Sequence, residues 1–437
     1  MKVKVISHQE SECTRERPND IYKLRKNTDP ALHPFEKARE YTRALNAVKL
    51  ERLFAKPFIG SLSGHRDGVY CMAKRFDKLN IVASGSADGE IREWNLTKRE
   101  MNFRWNAHKG FVKGLSYIPG TNNLFSCGSD STIKLWECNN PEPKLVLTRD
   151  SPFTGLDHHQ SKSIFATSGE KLEVWDHERN DPLHTFQWGS DTITTVKFNR
   201  TEESILASCA YDRSIVLYDL RMKGSLAKII LSTRSNSIAW NPMEAFYFTV
   251  ANEDHNLYTY DMRKMEKAAN ILKDHSSAVL DLDYSPTGQE LVTGAYDKSM
   301  RIFNVRRGHS RDIYHTRRMQ RIFCVKFSMD SHYLLSGSDD GNIRLWKSNA
   351  SEKLGILSNR EKSSLHYANS VKNKFKDLPE IKRIQKHRFL PKAIASANKT
   401  KRIMLQSRKN KRENVKKHSK ESQDPVERSQ NIVTIQK

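Results

Sequence analysis

The stretch Asp130-Ser131-Thr132-Ile133-Lys134-Leu135-Trp136 decides the fold of this chain. Its Asp-Ser pair is typical of a tight turn, and Ile-Lys-Leu-Trp alternates apolar and polar residues with the period of a β-strand. An aspartate stands six residues before a large aromatic residue in six of seven such units, and Gly169 replaces it in the third. The aromatic residues are Trp94, Trp136, Trp175, Tyr218, Tyr260, Phe303 and Trp346, spaced 39 to 43 residues apart. This spacing predicts an array of similar small sheets.

The repeat resembles that of the WD-repeat proteins. Gly64-His65, Ala107-His108 and Asp274-His275 lie about 28 residues before an aromatic residue, as in the Gly-His…Trp-Asp pattern of that family. Seven units account for residues 57–350, so we predict an all-β, seven-bladed WD-repeat β-propeller with an N-terminal extension and a basic α-helical C-terminal tail. By the same resemblance, residues 57–62 form an outer strand that completes the blade ending at Trp346, because a closed ring leaves no exposed edge.

The WD-repeat resemblance also implies a role for the recurring polar residues. In that family the turn aspartate, the histidine, a Ser or Thr of the second strand and the Trp form a hydrogen-bonded set. The sets here are His65, Ser84, Asp88 and Trp94 in one blade, and His108, Ser126, Asp130 and Trp136 in the next. A Ser-His-Asp set also resembles a catalytic triad, but an active site is built once and this set recurs. We therefore expect a structural network and no enzyme.

The positive charge of the chain is concentrated near its end. The net charge is +23, of which residues 359–437 carry +15 and residues 57–358 only +3. This split predicts a nearly neutral globular body with an appendage for a polyanionic partner. The chain has no run of 18 apolar residues and no apolar N-terminal stretch, so we expect neither a membrane helix nor a secretory signal. Six scattered cysteines favour a reduced, intracellular protein.

Both flanks contain helical patterns. In residues 1–56, Pro34 lies near a helix start, and Leu45, Leu50, Leu53 and Phe54 lead us to expect packing on the propeller. Residues 351–437 form the basic C-terminal region. There Ser358-x-x-Glu361 is a capping box that opens a helix ending at Pro379, and a second basic segment ends at Pro391. A third segment, residues 392–417, is so rich in Lys and Arg that we expect its end to be disordered until bound.

The flank motifs resemble the Sof family of nucleolar WD-repeat proteins. They are Asp29-Pro30-Ala31-Leu32-His33-Pro34-Phe35-Glu36, Arg43-Ala44-Leu45-Asn46-Ala47, Lys49-Leu50-Glu51-Arg52-Leu53-Phe54-Ala55-Lys56-Pro57-Phe58, Trp240-Asn241-Pro242-Met243-Glu244-Ala245-Phe246 and Glu380-Ile381-Lys382-Arg383-Ile384. The resemblance covers essentially the whole chain. It implies a scaffold in the nucleolar small-subunit processome, with processome proteins, a small nucleolar RNP and pre-rRNA as partners.

The basic tail is the best candidate for a nucleic-acid contact. Cations at this density neutralise phosphates without reading bases, and counterion release then drives binding. The candidate RNA-binding residues are Lys382, Arg383, Lys386, Arg388, Lys401, Arg402, Arg408, Lys409, Lys411 and Arg412. The alternatives are a solvated charge run or a nuclear import signal around residues 409–417.

Two Asp-x-Arg boxes follow the aromatic residues of the fourth and fifth units. They read Tyr218-Asp219-Leu220-Arg221 and Tyr260-Asp261-Met262-Arg263, and they resemble the motif by which some WD-repeat proteins bind the adaptor of a cullin–RING ubiquitin ligase. The arginines often brace their own blade instead. Substrate receptor of such a ligase is therefore the alternative function.

The sequence predicts no metal site and no cofactor. His158-His159 lacks a cysteine or carboxylate cluster at ligand spacing, so we expect a structural role for this pair. A Gly-rich phosphate loop, a nucleophile elbow and paired catalytic carboxylates are all absent from the sequence.

Overall fold

The computed structural model describes residues 32–138, 140–187, 191–222, 224–418 and 432–436. The Asp29-Pro30-Ala31 part of the first flank motif lies outside the described residues. The chain divides into two compact units. The propeller unit comprises Phe58–Ser348 and Phe389–Lys437, and the helical unit comprises the chain up to Pro57 together with Asn349–Arg388.

Seven antiparallel sheets form the propeller unit, which confirms the predicted fold. Each blade has four strands of the ring, which are given below from the innermost to the outermost. Blades one to four are β2 (Val69–Lys74), β3 (Ile81–Ser86), β4 (Glu90–Asn95), β5 (Glu100–Asn106); β6 (Val112–Tyr117), β7 (Asn123–Gly128), β8 (Thr132–Glu137), β9 (Leu145–Thr148); β10 (Gly155–His158), β11 (Ile164–Ser168), β12 (Leu172–Asp176), β13 (His184–Phe186); and β14 (Ile193–Phe198), β15 (Ile205–Ala210), β16 (Ser214–Asp219), β17 (Ser225–Leu231).

Blades five to seven complete the ring. They are β18 (Ser235–Trp240), β19 (Tyr247–Asn252), β20 (Asn256–Asp261), β21 (Asn270–Lys273); β22 (Val279–Tyr284), β23 (Glu290–Ala295), β24 (Met300–Asn304), β25 (Ser310–Tyr314); and β26 (Ile322–Phe327), β27 (Tyr333–Ser338), β28 (Ile343–Lys347) with β1 (Phe58–Leu62). Strand β1 pairs with β28, so the N-terminal strand closes blade seven as predicted. We call the side on which the innermost strands begin the upper face.

The turn aspartates recur because they support one local backbone geometry. Asp130 accepts a hydrogen bond from the Thr132 N–H at 3.3 Å, and Ser131 between them has a left-handed φ of 60°. The same pair of features occurs at Asp88, Asp212, Asp254, Asp297 and Asp340. Asn and Asp side chains stabilise such turns by binding the backbone two residues on. Each carboxylate therefore fixes the turn into the third strand of its blade.

The hydrophobic core lies between neighbouring blades. Trp136 of blade two is 2% exposed and packs in one cluster with Trp105 and Ala83 of blade one. Trp94 of blade one similarly packs with Ile343 of blade seven. Because each cluster joins two blades, removal of one large side chain weakens two sheets at once.

The helical unit brings the two flanks together. Helix α1 (Glu36–Leu53) packs on α2 (Asn359–Lys374) and α3 (Pro379–Lys386). Ala44, Val48, Val371 and Ile381 form the buried centre of this unit. Ion pairs join Lys374 to Glu40 and Lys372 to Glu51, both at 2.7 Å.

Packing of the N-terminal segment on the propeller stays a prediction. Within the helical unit its helix packs on the C-terminal helices, and Leu50, Leu53 and Phe54 remain exposed. The small residues Ala44 and Val48 make the contact instead, since they allow close approach of the helices. The C-terminal region 351–437 is also divided, because the helical unit ends at Arg388.

The C-terminal elements differ in how well the sequence predicts them. Ser358 caps α2 in a capping box with Glu361. The segment 392–417, whose end we expected to be disordered until bound, is helical to His418 as α4 (Lys392–His418), because Ala, Lys, Arg, Leu and Met all favour helix. The strand β29 (Ile432–Gln436) pairs with β17 and adds a fifth strand to blade four, a feature that the repeat did not predict. None of the helices within the described ranges is long and apolar enough to cross a membrane.

Candidate RNA-binding and adaptor-binding surfaces

Blade two contains a connected polar network. His108 Nε2 lies 2.8 Å from Ser126 Oγ, and His108 Nδ1 lies 2.9 Å from Asp130 Oδ1. Trp136 donates to Ser126 Oγ at 2.9 Å. Burial raises the pKa of Asp130, but hydrogen bonds from Thr132 and His108 outweigh it and leave that pKa below its usual value. The network joins the strands β7 and β8, the turn between them and the loop before the blade, which is a structural role.

Blade one departs from this arrangement at its aspartate. His65 contacts Ser84 Oγ at 2.6 Å and Trp94 donates to the same oxygen at 2.8 Å, but Asp88 is exposed and accepts from the Glu90 N–H. Our expectation that Asp88 binds His65 is wrong. Glu90 stands where blade two has Thr132, and it holds the Arg92 guanidinium beside the imidazole. Burial and Arg92 together lower the pKa of His65 to about 4.

In the described part of the chain, one group of His, Cys, Asp or Glu side chains lies close enough together to hold a metal ion. It consists of His65, Asp88 and Glu90. Their ligand atoms lie within 4.8 Å of one another. Glu90, however, pairs with Arg92 at 2.7 Å and with Arg104 at 2.5 Å. These two guanidiniums already neutralise the carboxylate, so a cation is not needed there.

The His158-His159 pair contacts protein groups. His158 Nε2 lies 2.7 Å from His177 Nε2, and His159 Nδ1 accepts from the backbone N–H groups of Ser161 and Lys162. Burial and the neighbouring His177 lower the pKa of His158 to about 4. Two neutral imidazoles that share a hydrogen bond account for this geometry without a metal.

The structure divides the candidate RNA-binding residues between the two units. Lys382, Arg383 and Lys386 are exposed on α3, while Arg388, at the end of the helical unit, is half-buried. The other six candidates lie on α4 in the propeller unit. Exposed side chains extend from α4 at Arg402, Arg408, Lys409, Lys411 and Arg412.

Lys401 differs from the other candidates on α4. Its amine donates to the His275 carbonyl at 2.7 Å, at the upper face between blades five and six. Burial lowers the pKa of Lys401, and the carboxylates of Asp254 and Asp274 oppose that shift. The amine therefore serves as an anchor to the propeller, and we remove Lys401 from the candidate RNA-binding set.

Other contacts fix the start of α4. Phe389 stacks on His315, with ring centroids 6.0 Å apart, in the loop between blades six and seven. Ile394 is 7% exposed. The segment from Phe389 to Lys401 thus contacts the upper face at Phe389 and Lys401, whereas the side chains from Arg402 to Val415 are all exposed. The sequence showed the density of charge but not this division.

The two Asp-x-Arg boxes have different geometries. The Arg263 guanidinium donates to both carboxylate oxygens of Asp261, at 3.1 and 3.0 Å, and lies 4.2 Å from the ring centroid of Phe246. Arg221 is exposed, and its guanidinium has no hydrogen bond, ion pair or ring contact with any residue that the structure describes. Arg263 is held within its own blade, whereas Arg221 is available to a partner.

A closed ring of seven blades with recurring Asp turns and His–Ser–Trp contacts defines a WD-repeat propeller. Residues 56–95, 99–137, 180–219, 266–304 and 307–347 match the family described as WD domain, G-beta repeat. Residues 348–432 match the Sof1-like domain. The chain belongs to the Sof-type family of WD-repeat proteins. The three inner strands of blades three and five fall outside the matched segments, although the structure forms both sheets.

Relatives are similar over their full length. DDB1- and CUL4-associated factor 13 of Xenopus laevis is 51% identical over 443 residues, and that of Homo sapiens is 50% identical over 445, with 100% of each chain covered. Protein SOF1 of Saccharomyces cerevisiae is 47% identical over 462 residues, covering 99% of this chain and 94% of that protein. The WD40 β-propeller domain of Doa1 superposes with a TM-score of 0.59 at 17% identity, covering 67% of this chain and 96% of the domain, which supports the fold alone.

Proposed function

We propose that this protein is a non-enzymatic scaffold of the nucleolar small-subunit processome, needed for pre-rRNA processing and small-subunit biogenesis. The propeller holds processome proteins, and the basic tail contacts pre-rRNA or the small nucleolar RNP. Membership of the Sof-type family supports this assignment, because the resemblance of the flank motifs implies it. One observation about the molecule carries the RNA role: α4 exposes a dense set of cations beyond its anchor.

The electrostatics of α4 favour a polyanion. Ten of its 27 residues are Lys or Arg and one is acidic. Lys409 and Glu413 form its single i,i+4 ion pair among the described contacts, at 3.7 Å with both side chains exposed. Exposed ion pairs of this kind contribute little to helix stability. The other cations of the helix therefore repel one another unless a ligand neutralises them. Phosphates of RNA do so and release counterions.

Crosslinking of native complexes, followed by mass spectrometry, tests the assignment. Tagged full-length protein should carry RNA crosslinks on peptides from α4, and the RNA should be pre-rRNA or small nucleolar RNA. A variant with Arg402, Arg408, Lys409, Lys411 and Arg412 replaced by Gln, hereafter the α4 glutamine variant, should lose these crosslinks and retain its protein partners. Recovery of a cullin and its adaptor without pre-ribosomal RNA would contradict the scaffold assignment.

The second candidate is a substrate receptor of a cullin–RING ligase. The names of several relatives describe association with DDB1 and CUL4. The exposed guanidinium of Arg221 favours this candidate, since an adaptor needs an arginine that its own blade has not bound. We propose that Arg221, and not Arg263, makes such a contact.

Pull-down of the adaptor distinguishes the two arginines. Arg221→Ala should abolish adaptor binding and leave pre-rRNA processing intact. Arg263→Ala is the matched control, which removes the contacts to Asp261 and Phe246 and should lower stability slightly while the adaptor still binds. If neither substitution affects adaptor binding, the second candidate is wrong.

A further inference from the structure

Aromatic side chains cluster on the upper face around blades seven, one and two. Tyr70 and Phe323 stack with ring centroids 4.3 Å apart and planes at 10°, and Phe111 meets Tyr70 edge to face at 5.5 Å. Tyr70 and Phe323 are the second residues of the innermost strands β2 and β26. In both strands the register shifts at this residue. Such bulges redirect a side chain out of the regular sheet.

Cations accompany these rings. Lys113 Nζ lies 4.9 Å from the ring centroid of Phe111 and 5.2 Å from that of Tyr70. The cluster continues to blade six, where the Arg321 guanidinium lies 4.5 Å from the ring centroid of Tyr296. Arg321 also donates to the Tyr296 hydroxyl at 3.3 Å. Two further exposed arginines, Arg317 and Arg318, lie in the same loop.

Blade architecture does not require these side chains. At the bulges of blades four and five the corresponding residues are Thr194 and Asn236, which donate hydrogen bonds to the carbonyls of Cys209 and Val279. In contrast, Phe111 is 42% exposed and Tyr296 is 38% exposed. Large rings left in solvent beside cations are typical of a ligand surface.

We propose that Phe111, Tyr70, Phe323 and Tyr296, with Lys113 and Arg321, form an aromatic strip that binds single-stranded RNA by base stacking. Exposed rings accept unpaired bases of any sequence, while neighbouring cations hold the phosphates. Each stacked base contributes about 5- to 150-fold in affinity. The strip is a second RNA contact, separate from the exposed cations of α4.

Charge around the strip favours RNA over an acidic peptide. Burial raises the pKa of Tyr70, and the carboxylates of Asp339 and Asp67 raise it further. These carboxylates repel a chain of acidic side chains, whereas an uncharged base is accepted there. The phosphates then lie toward Arg317, Arg318 and Arg321.

The strip is continuous with the tail. His315, on which Phe389 stacks, belongs to the same loop as the arginines, and α4 begins three residues after Phe389. An RNA strand that leaves the strip over this loop meets the start of the basic helix. This last step rests on the proposed RNA role of the tail, but the strip is tested independently of it.

The test compares a 12-nucleotide oligoadenylate with an abasic oligomer carrying the same phosphates, both bound to full-length protein. Wild type should bind the oligoadenylate more tightly. The double variant Phe111→Ala, Tyr296→Ala should reduce this ratio at least tenfold and leave abasic binding unchanged. The α4 glutamine variant should instead lower the affinity for both ligands by the same factor. The proposal for the strip and the proposal for the tail can therefore fail independently.

Three controls keep the outcome clear. Phe35→Ala with Phe54→Ala removes two exposed phenyl rings from the helical unit and should leave the ratio at its wild-type value. Phe111→Tyr with Tyr296→Phe retains both rings and should also retain the ratio. In wild type, a 4-thiouridine oligomer should crosslink to peptides containing Phe111 or Tyr296, a result that needs no variant. A wild-type ratio in the alanine variant, or loss of a protein partner with the ratio unchanged, would overturn the proposal.

Discussion

Paired, buried cations of the propeller and exposed cations of α4 have opposite environments. Lys74 of blade one is buried and pairs with Asp283 at 2.8 Å, and Lys228 of blade four pairs with Asp212 at 3.1 Å. Burial lowers the pKa of Lys74 to about 8, although Asp283 opposes the shift. On α4, Arg408 and Arg412 are exposed. Cationic side chains therefore stabilise the ring where carboxylates surround them and remain available for phosphate where carboxylates are scarce.

The largest expected effect comes from the ring. Trp136→Ala should lower the free energy of unfolding by about 3–5 kcal/mol, because it empties a site shared by two blades. Arg408→Ala is the matched substitution on α4 and should change stability by less than about 0.5 kcal/mol. Thermal and urea unfolding of the full-length protein measure both. Equal melting of the two variants would show that Trp136 is not a core residue.

The turn aspartates of blades two and one give a smaller contrast. Asp130→Ala breaks the contact with His108 and should lower the free energy of unfolding by about 1–3 kcal/mol. Asp88→Ala removes one turn contact at an exposed site and should lower it by less than about 1 kcal/mol. Urea unfolding of the two variants side by side tests the difference. A larger loss at Asp88 would contradict the geometry of blade one.

Buried histidines make stability depend on pH. Because the pKa of His65 is about 4 in the folded protein and 6.5 when unperturbed, the unfolded chain binds the proton first as the pH falls. Stability is therefore retained above about pH 7 and falls by about 2 kcal/mol between pH 7 and pH 5 from this group. His65→Gln should remove that part of the decline in urea unfolding. An unchanged slope in the variant would mean that His65 titrates normally.

The smallest effect separates the anchor of α4 from its exposed cations. Lys401→Met removes the hydrogen bond to His275 and should lower the free energy of unfolding by less than about 1.5 kcal/mol. Amide hydrogen exchange should accelerate between Ile394 and Lys401, because this segment loses a contact with the propeller. Arg402→Met, one residue further on, is the control and should leave exchange unchanged. Equal acceleration in both variants would remove the distinction between anchor and ligand contact.

These contrasts also show what the sequence could predict. The ring can be predicted because six of the seven units repeat the aspartate turn and all seven repeat the spacing of the aromatic residue, and the capping box at Ser358 is a local signal. Asp88 and Asp130 differ in role because Glu90 stands two residues after Asp88, whereas Thr132 stands two residues after Asp130. Glu90 binds Arg92, and this contact is visible only in the folded structure. The anchor at Lys401 and the strand β29 have no signal in the sequence, because their acceptors are backbone groups far away along the chain.

The aromatic strip was missed for a related reason. Tyr70 and Phe323 lie far apart in the sequence, and Phe111 directly precedes a strand, so each is an isolated aromatic residue in its own repeat unit. Only ring closure brings blades seven, one and two together. The sequence signal for Tyr70 and Phe323 is an aromatic residue at the second position of an innermost strand.

RNA binding across a salt series tests the central claim most directly. For single strands the log–log slope is roughly 0.7 per phosphate contacted, so the α4 glutamine variant should bind with a slope lower by up to about 3.5. A matched control replaces five exposed cations of the propeller with Gln: Lys78, Lys144, Arg179, Lys267 and Arg307. This control should retain the wild-type slope, and the α4 glutamine variant should bind with a shallow slope. A wild-type slope in the α4 variant would contradict the RNA-binding role of the tail.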